Sequence, residues 1–374
     1  MKWNILNFKE IFLFAILLLW TLPLSLQGKE FTRTIEKSYP INADGEVNIE
    51  NQHGMIEIIQ WENNEVTFEI VIRIHSNSEK VADDAFSRIE IDFSNSEEYI
   101  SAKTEVESVR SFWWFFKSWW SEASVQIDYR VYVPQTISLE IENKYGNVEI
   151  EEIHGDVVVE MRHGDLRIKK ALGDLKLDLA YGSGVIVESK EAQVEISFYK
   201  LRINTIGFLD IDSQHSRVTV EKAAEIISES SYDSYVLGET GIFKNDGKYD
   251  NIKIDDLFEA SIDTKRSDLT VERLKNSLRV NATYGSLRIE SVERQFKEIR
   301  VESEYTGIYL EFGSGSYYKI DIHTESSSVL YPEEIQIIKE QKDDHKFSME
   351  GFLGSEKAAG EIYIRMEYGG LRIK

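Results

Sequence analysis

From Leu139 to the C-terminus, short runs of alternating apolar and polar residues recur, each three to five residues long and followed by a polar turn. One phrase marks the recurrence: an aromatic or His, a small or polar turn, then two apolar residues separated by a polar one. It reads Tyr145-Gly146-Asn147-Val148-Glu149-Ile150, His163-Gly164-Asp165-Leu166-Arg167-Ile168 and Tyr181-Gly182-Ser183-Gly184-Val185-Ile186. It returns at Tyr199, His215, Tyr232, Tyr249, Tyr284 and Tyr305, with Arg266 standing in once, and a last copy at Tyr368 closes the chain. A second phrase without the aromatic falls midway, as in His154-Gly155-Asp156-Val157 and Leu172-Gly173-Asp174-Leu175. Period-2 alternation predicts strands with Leu166 and Ile168 inward and Arg167 outward. A repeat of two short strands cannot bury its apolar residues alone, so neighbours must stack. The expected fold is all-β: a parallel two-sheet β-solenoid with coils of about 17–18 residues and the aromatics stacked at one corner. Ten such steps rise roughly 48 Å at about 4.8 Å per strand.

Residues 29–137 are less regular and read as a β-rich N-terminal cap, with strands expected at 45–50, 54–60, 66–74, 88–93 and 124–133 and a short helix at 78–86. His53-Gly54-Met55-Ile56 already carries the repeat phrase, which suggests that stacking begins here. Residues 138–374 form the repeat domain, with looser insertions expected at 313–316 and 339–355. Residues 1–28 read as a signal peptide: Lys2 and Lys9, then the unbroken apolar run Ile11–Leu19, then a cleavage point near Gln27 or Gly28. The apolar run is short for a membrane span.

Cysteine is absent, which excludes disulfides, thiolate metal sites and Cys nucleophiles. A large exported chain without disulfides suits a bacterial envelope: periplasm, outer surface or medium. The net charge of −23 excludes nucleic acid as a partner and disfavours adsorption to anionic lipid.

Candidate chemistry is weak against ordinary structural readings. Gly-Asp turns bring calcium-binding rolls to mind, but the double glycine and spaced Asp are missing, so Asp156, Asp165 and Asp174 read as turn formers bonding their own backbone. His163 and His215 share the aromatic corner three repeats apart, and His154 lies elsewhere, so the seven histidines do not converge on a metal. Asp210 with Asp212 and Asp255 with Asp256 are the carboxylate pairs a glycosidase would need, yet turns this short wall no cleft. The outer-face cations Arg167, Lys176, Arg202, Lys253, Arg279, Arg288, Arg300 and Arg372 sit among Glu residues and read as cross-strand charge pairs. No catalytic, cofactor or metal residue is assigned.

One segment stands apart. Trp113, Trp114, Phe115, Phe116, Trp119 and Trp120 crowd an insertion at 111–121, with Lys117 the only charge in the run. It reads as a hydrophobic plug or as an exposed patch for a protein, a glycan or the membrane interface.

The tract Val125-Gln-Ile-Asp-Tyr-Arg-Val-Tyr-Val-Pro134, then Leu139-Glu-Ile-Glu-Asn-Lys-Tyr145-Gly146-Asn147-Val148, with Ile49-Glu-Asn-Gln-His53-Gly54 upstream, resembles the bacterial putative-adhesin family of unknown function, kin in architecture to the head-GIN autotransporter adhesins. The resemblance spans nearly all of 40–374 and implies an exported β-solenoid without catalytic residues. The Trp-rich insertion departs from the usual polar loop. The function expected is a non-enzymatic envelope or surface protein, an adhesin or scaffold binding a protein, glycan or envelope component. An envelope-stress sensor linked to a membrane regulator and a carbohydrate-active β-helix enzyme are the alternatives.

Overall fold

The computed structural model describes residues 29–106, 123–355 and 360–374. The segment expected to be a signal peptide and the Trp-rich residues lie outside the described residues. The fold is all-β, with 21 strands among the described residues in one large, mostly parallel sheet. The chain divides into two compact units. Among the described residues the smaller takes in 29–33, 72–89, 106 and 123–126. It holds the helix Glu79–Ser87, close to the expected span. Ala82, Ala85 and Phe86 give that helix its buried side, and the Arg33 guanidinium lies 4.7 Å over the Phe86 ring.

The larger unit carries the repeat. Strand Val157–Arg162 pairs in parallel with Ser138–Asn143 on one side and with residues 175–180 on the other. Further along, Leu201, Val218, Tyr235 and Ile252 stand in successive register. Parallel neighbours are therefore one repeat apart, and each repeat is one rung of the ladder. The inward residues form continuous columns: Ile168, Ile186, Ile203, Val220, Leu237 and Ile254 are each no more than 1% exposed. Burying each such side chain contributes about 1.5–3 kcal/mol. Strand geometry runs unbroken from Asp165 to Gln214, through two corners, because each corner takes a single residue out of the β region.

All five expected N-terminal strands are present, joined by two more at Lys29–Pro40 and Tyr99–Val106. The His53 phrase is a true rung. Glu46–Asn51 pairs with Ser138–Asn143, Ile56–Ile58 pairs with Val148–Ile150, and the His53 ring stacks on Tyr145 at 5.3 Å.

The C-terminal end departs from the sequence reading in two ways. The region expected to be loose contains two antiparallel strands, Gln336–Lys342 and Lys346–Leu353. The last phrase, at Tyr368, is not stacked beyond the earlier rungs: the strand before it, Gly360–Glu367, slots between Glu298–Phe312 and Tyr318–Glu325, in parallel with both, and the strand of the phrase, Gly370–Ile373, pairs in parallel with residues 307–310 and with Ser328–Leu330. Lys346–Leu353 then packs antiparallel on Tyr318–Glu325. The outermost of these strands, Gln336–Lys342, is exposed throughout and blunted by Lys339, Lys342 and a bulge at Ile338.

Candidate functional site

The corner of the ladder is a stack of rings. His53, Tyr145, His163, Tyr181, Phe198, His215, Tyr232 and Tyr249 follow one another with centroids 4.6–5.4 Å apart and planes within 21°. Tyr284, Tyr305 and Tyr368 continue it at 4.8 Å. Arg266 fits between the two runs because its guanidinium lies 5.5 Å from the Tyr249 ring and 5.3 Å from Tyr284, and donates to Tyr249 Oη at 2.9 Å. From His163 onward every corner residue has a left-handed backbone, φ 51–61°. That conformation is costly for residues with a Cβ, and stacking of the rings offsets the strain.

One position is corrected. The ring in the stack is Phe198, 51% exposed, and Tyr199 points inward, 1% exposed, with its hydroxyl donating to the Ser183 carbonyl at 2.5 Å. The repeat shortens from 18 to 17 residues here, so the ladder steps to 198 rather than 199. The stacked rings are themselves largely surface groups: Tyr181, Tyr232 and Tyr249 are 40–50% exposed. Their faces cover one another and only edges meet solvent.

The change of period follows from the residue after the ring. In the 18-residue rungs it is Gly, because a Cβ on Gly164 would lie 2.0 Å from the Gly146 carbonyl oxygen, and one on Gly182 1.9 Å from that of Gly164. The next side chain then caps the following rung: Asn147 Oδ1 accepts from Asp165 N–H at 3.0 Å, and Asp165 Oδ1 from Ser183 N–H at 3.0 Å. Asp156 does the same for Asp174 N–H at 2.9 Å. The turn acids expected to bond their own backbone bond the next repeat instead. In the 17-residue rungs Gly gives way to Tyr199, Ser216, Asp233, Asp250 and Ser267, and the capping reverses direction. Tyr199 N–H donates to Ser216 Oγ, Ser216 N–H to Asp233 Oδ1, Asp233 N–H to Asp250 Oδ1 and Asp250 N–H to Ser267 Oγ, at 2.6–3.2 Å.

These side chains found a buried polar network. Asp233 and Asp250 are each 4% exposed. Asp233 Oδ2 accepts from Ser213 Oγ–H at 2.7 Å and Ser231 N–H at 3.0 Å, and Ser213 also bonds the Tyr235 hydroxyl at 2.6 Å. Burial pushes both carboxyls above the usual range, against the donors that hold them. It pushes the Tyr235 hydroxyl up more strongly. Their role is to satisfy corner amides that no strand can reach.

Outside the same rungs runs a groove of about 730 Å³, whose floor is a column of carboxylates: Asp178, Glu195, Asp212, Glu229, Asp246 and Asp263. Asp212, Glu229, Asp246 and Asp263 stand directly in register. Arg162 holds Asp178 at 2.7 Å, while no ion pair among the described residues closes on Glu195, Asp212, Glu229 or Asp246. Like charges one strand apart repel by about 1 kcal/mol per pair in water.

The other candidates fall where solvated surface groups belong. Asp212 lies in this column, and Asp256 is held by Arg273 at 2.8 Å. His154 Nε2 sits between Gln135 and Glu152. Among the described residues no group of His, Asp and Glu could hold a metal. Arg202, Lys253 and Arg279 make the expected cross-strand pairs with Glu221, Glu272 and Glu298. Arg288 and Arg300 pair with Glu290 and Glu298 on their own strands. Arg167, Lys176 and Arg372 close no ion pair among the described residues. Trp113, Trp114, Phe115, Phe116, Trp119 and Trp120 lie outside the described residues.

No family model matches the chain, and no curated protein matches it. Solved structures are similar to it. A "putative cell adhesion protein" from Clostridium sporogenes is 12% identical over 92% of this chain and 99% of its own, with a TM-score of 0.21. A "putative adhesin" from Parabacteroides distasonis is 10% identical over 75% and 96%, with a TM-score of 0.32. A "putative lipid binding protein" from the same organism is 12% identical over 75% and 96%, with a TM-score of 0.25. The adhesin names agree with the resemblance noted in the sequence, while scores this low carry no argument for a shared activity.

Proposed function

We propose that this chain is a non-enzymatic, exported envelope or surface protein of the adhesin type, built as a two-sheet β-solenoid that presents a repeated binding surface. Parallel registers one repeat apart and left-handed corner residues support the solenoid. The observation that carries the function is that the polar chemistry recurs along the ladder instead of converging. The acidic column returns over six successive rungs and the ring edges along the corner on either side of Arg266, which suits an extended partner and, among the described residues, does not converge on a nucleophile–base pair. Export rests on the N-terminal segment, and among the described residues no helix is long and apolar enough to cross a membrane. The partner is a protein, glycan or envelope component, and the Trp-rich segment is a second contact element, suited to an apolar local contact with a membrane.

The test is fractionation and protease shaving of intact cells producing the full chain, with binding of the purified protein from Lys29 onward to isolated envelopes. Surface or periplasmic protein that binds envelopes without releasing reducing sugar is the expected result. Cytosolic protein, or release of reducing sugar, refutes the proposal.

A further inference from the structure

The C-terminal insertion changes the surface of the ladder. Gly360–Glu367, Tyr318–Glu325 and Lys346–Leu353 lie side by side and set their outward residues in rows. One row is Tyr363, Asp321 and Glu350; the rows beside it are Glu361, Lys319 and Phe352, then Arg365, His323 and Ser348. Ile338, 61% exposed on the neighbouring strand, walls one side. The result is a concavity of about 530 Å³, continued by a smaller one of about 200 Å³ that shares Asp321 and Tyr363. Pockets for small ligands span about 300–1,000 Å³. Insertions into repeat arrays often carry the binding face.

Tyr363 differs from the corner rings and from Tyr309. Corner rings spend their faces on each other. Tyr309 has Arg288 at 4.4 Å and Lys374 at 5.8 Å over its ring, from the rungs before and after. Tyr363 has Arg300 at 4.6 Å on the side of the preceding rung, and Asp321 in register on the other. The short Asp321 side chain is drawn toward His323 Nε2 at 2.9 Å, so that face of the ring opens into the concavity. The Tyr363 hydroxyl donates to Glu361 Oε2 at 3.1 Å and fixes the ring. An aromatic face bordered by carboxylates, a His and a Lys matches a pyranose: an apolar C–H face for the ring, hydroxyl pairs for the carboxylates. Acids and bases are nearly balanced around it, which favours a neutral sugar over a strongly charged one.

We propose that Tyr363, with Asp321, His323, Glu361 and Phe352, forms a subsite for a pyranose unit of a neutral glycan. This rests on the binding-scaffold reading above and names the class of ligand for it.

The test uses the full chain without its signal segment on immobilised cellotetraose, chitotetraose and mannotetraose, with choline and polylysine as cationic probes. At least one neutral tetrasaccharide binds. Tyr363→Ala weakens it by about tenfold or more, Tyr363→Phe keeps it because the ring remains, and Tyr309→Ala leaves it unchanged. A melting temperature of Tyr363→Ala close to the parent's separates lost binding from lost folding. Absence of binding to all three sugars, binding indifferent to Tyr363→Ala, or binding of choline or polylysine alone overturns the subsite. Envelope binding by a protein that binds none of the three sugars removes the subsite and leaves the surface function standing, whereas failure of export removes the function without touching the sugar result.

Discussion

Replacing Asp233 by Ala tests the account of the 17-residue rungs. Its carboxylate receives three donors: Ser216 N–H at 2.6 Å, Ser213 Oγ–H at 2.7 Å and Ser231 N–H at 3.0 Å. After truncation Ser213 keeps the Tyr235 hydroxyl, while the two amides lose their acceptor in a site that is 4% exposed. Each orphaned buried donor costs about 1–3 kcal/mol. Removing a buried charge returns part of this, since burial raises the carboxyl's pKa. The expected net loss is about 2–4 kcal/mol. The pH dependence has a definite sign. A carboxyl whose pKa is raised by folding binds its proton more tightly in the native state. The native state therefore loses stability relative to the unfolded chain as pH rises from about 4 through the raised value. The gap between the parent protein and Asp233→Ala should accordingly narrow over that window. Urea unfolding at several pH values gives the gap. Hydrogen exchange of peptides covering Ser216 and Ser231 locates it, which matters because repeat arrays need not unfold in one step. A loss below about 0.5 kcal/mol, or unchanged protection at both amides, would refute the reasoning.

Two further outcomes follow from the corner. Gly164→Ala places a Cβ 2.0 Å from the Gly146 carbonyl oxygen, backbone against backbone, so a loss of about 3 kcal/mol or more is expected in thermal or urea unfolding; a melting temperature equal to the parent's would show that the rungs can separate freely. Tyr199→Ala, at 1% exposure, should cost about 3–5 kcal/mol, and Tyr232→Ala, at 49%, about 1 kcal/mol, read by the same unfolding curves; equal losses would mean that the corner stack and the interior are not distinct environments.

The sequence by itself determined the all-β class, the repeat length and the inward columns, because alternation along a strand is local and a stacked repeat must bury the same positions every time. It located the corner stack at all but one rung. At Phe198-Tyr199 two adjacent aromatics fit the phrase, and the 17-residue progression through 215, 232 and 249 selects the first. The acidic column was legible by the same arithmetic at 178, 195, 212, 229, 246 and 263, hidden only because each member looks like an ordinary surface acid. Other features were decided by the tertiary structure alone. Asp233 reads as a turn residue until the preceding rung supplies Ser213 and Ser216 as its donors. The C-terminal strand could not be placed from its phrase, since hydrogen bonds between strands carry no record of chain order. Gly360–Glu367 fits between two earlier strands, and that insertion brings Tyr363, Asp321 and Glu350 into one row from three separate segments. Local alternation fixes which way a side chain faces, and only the pairing of distant strands fixes what stands beside it.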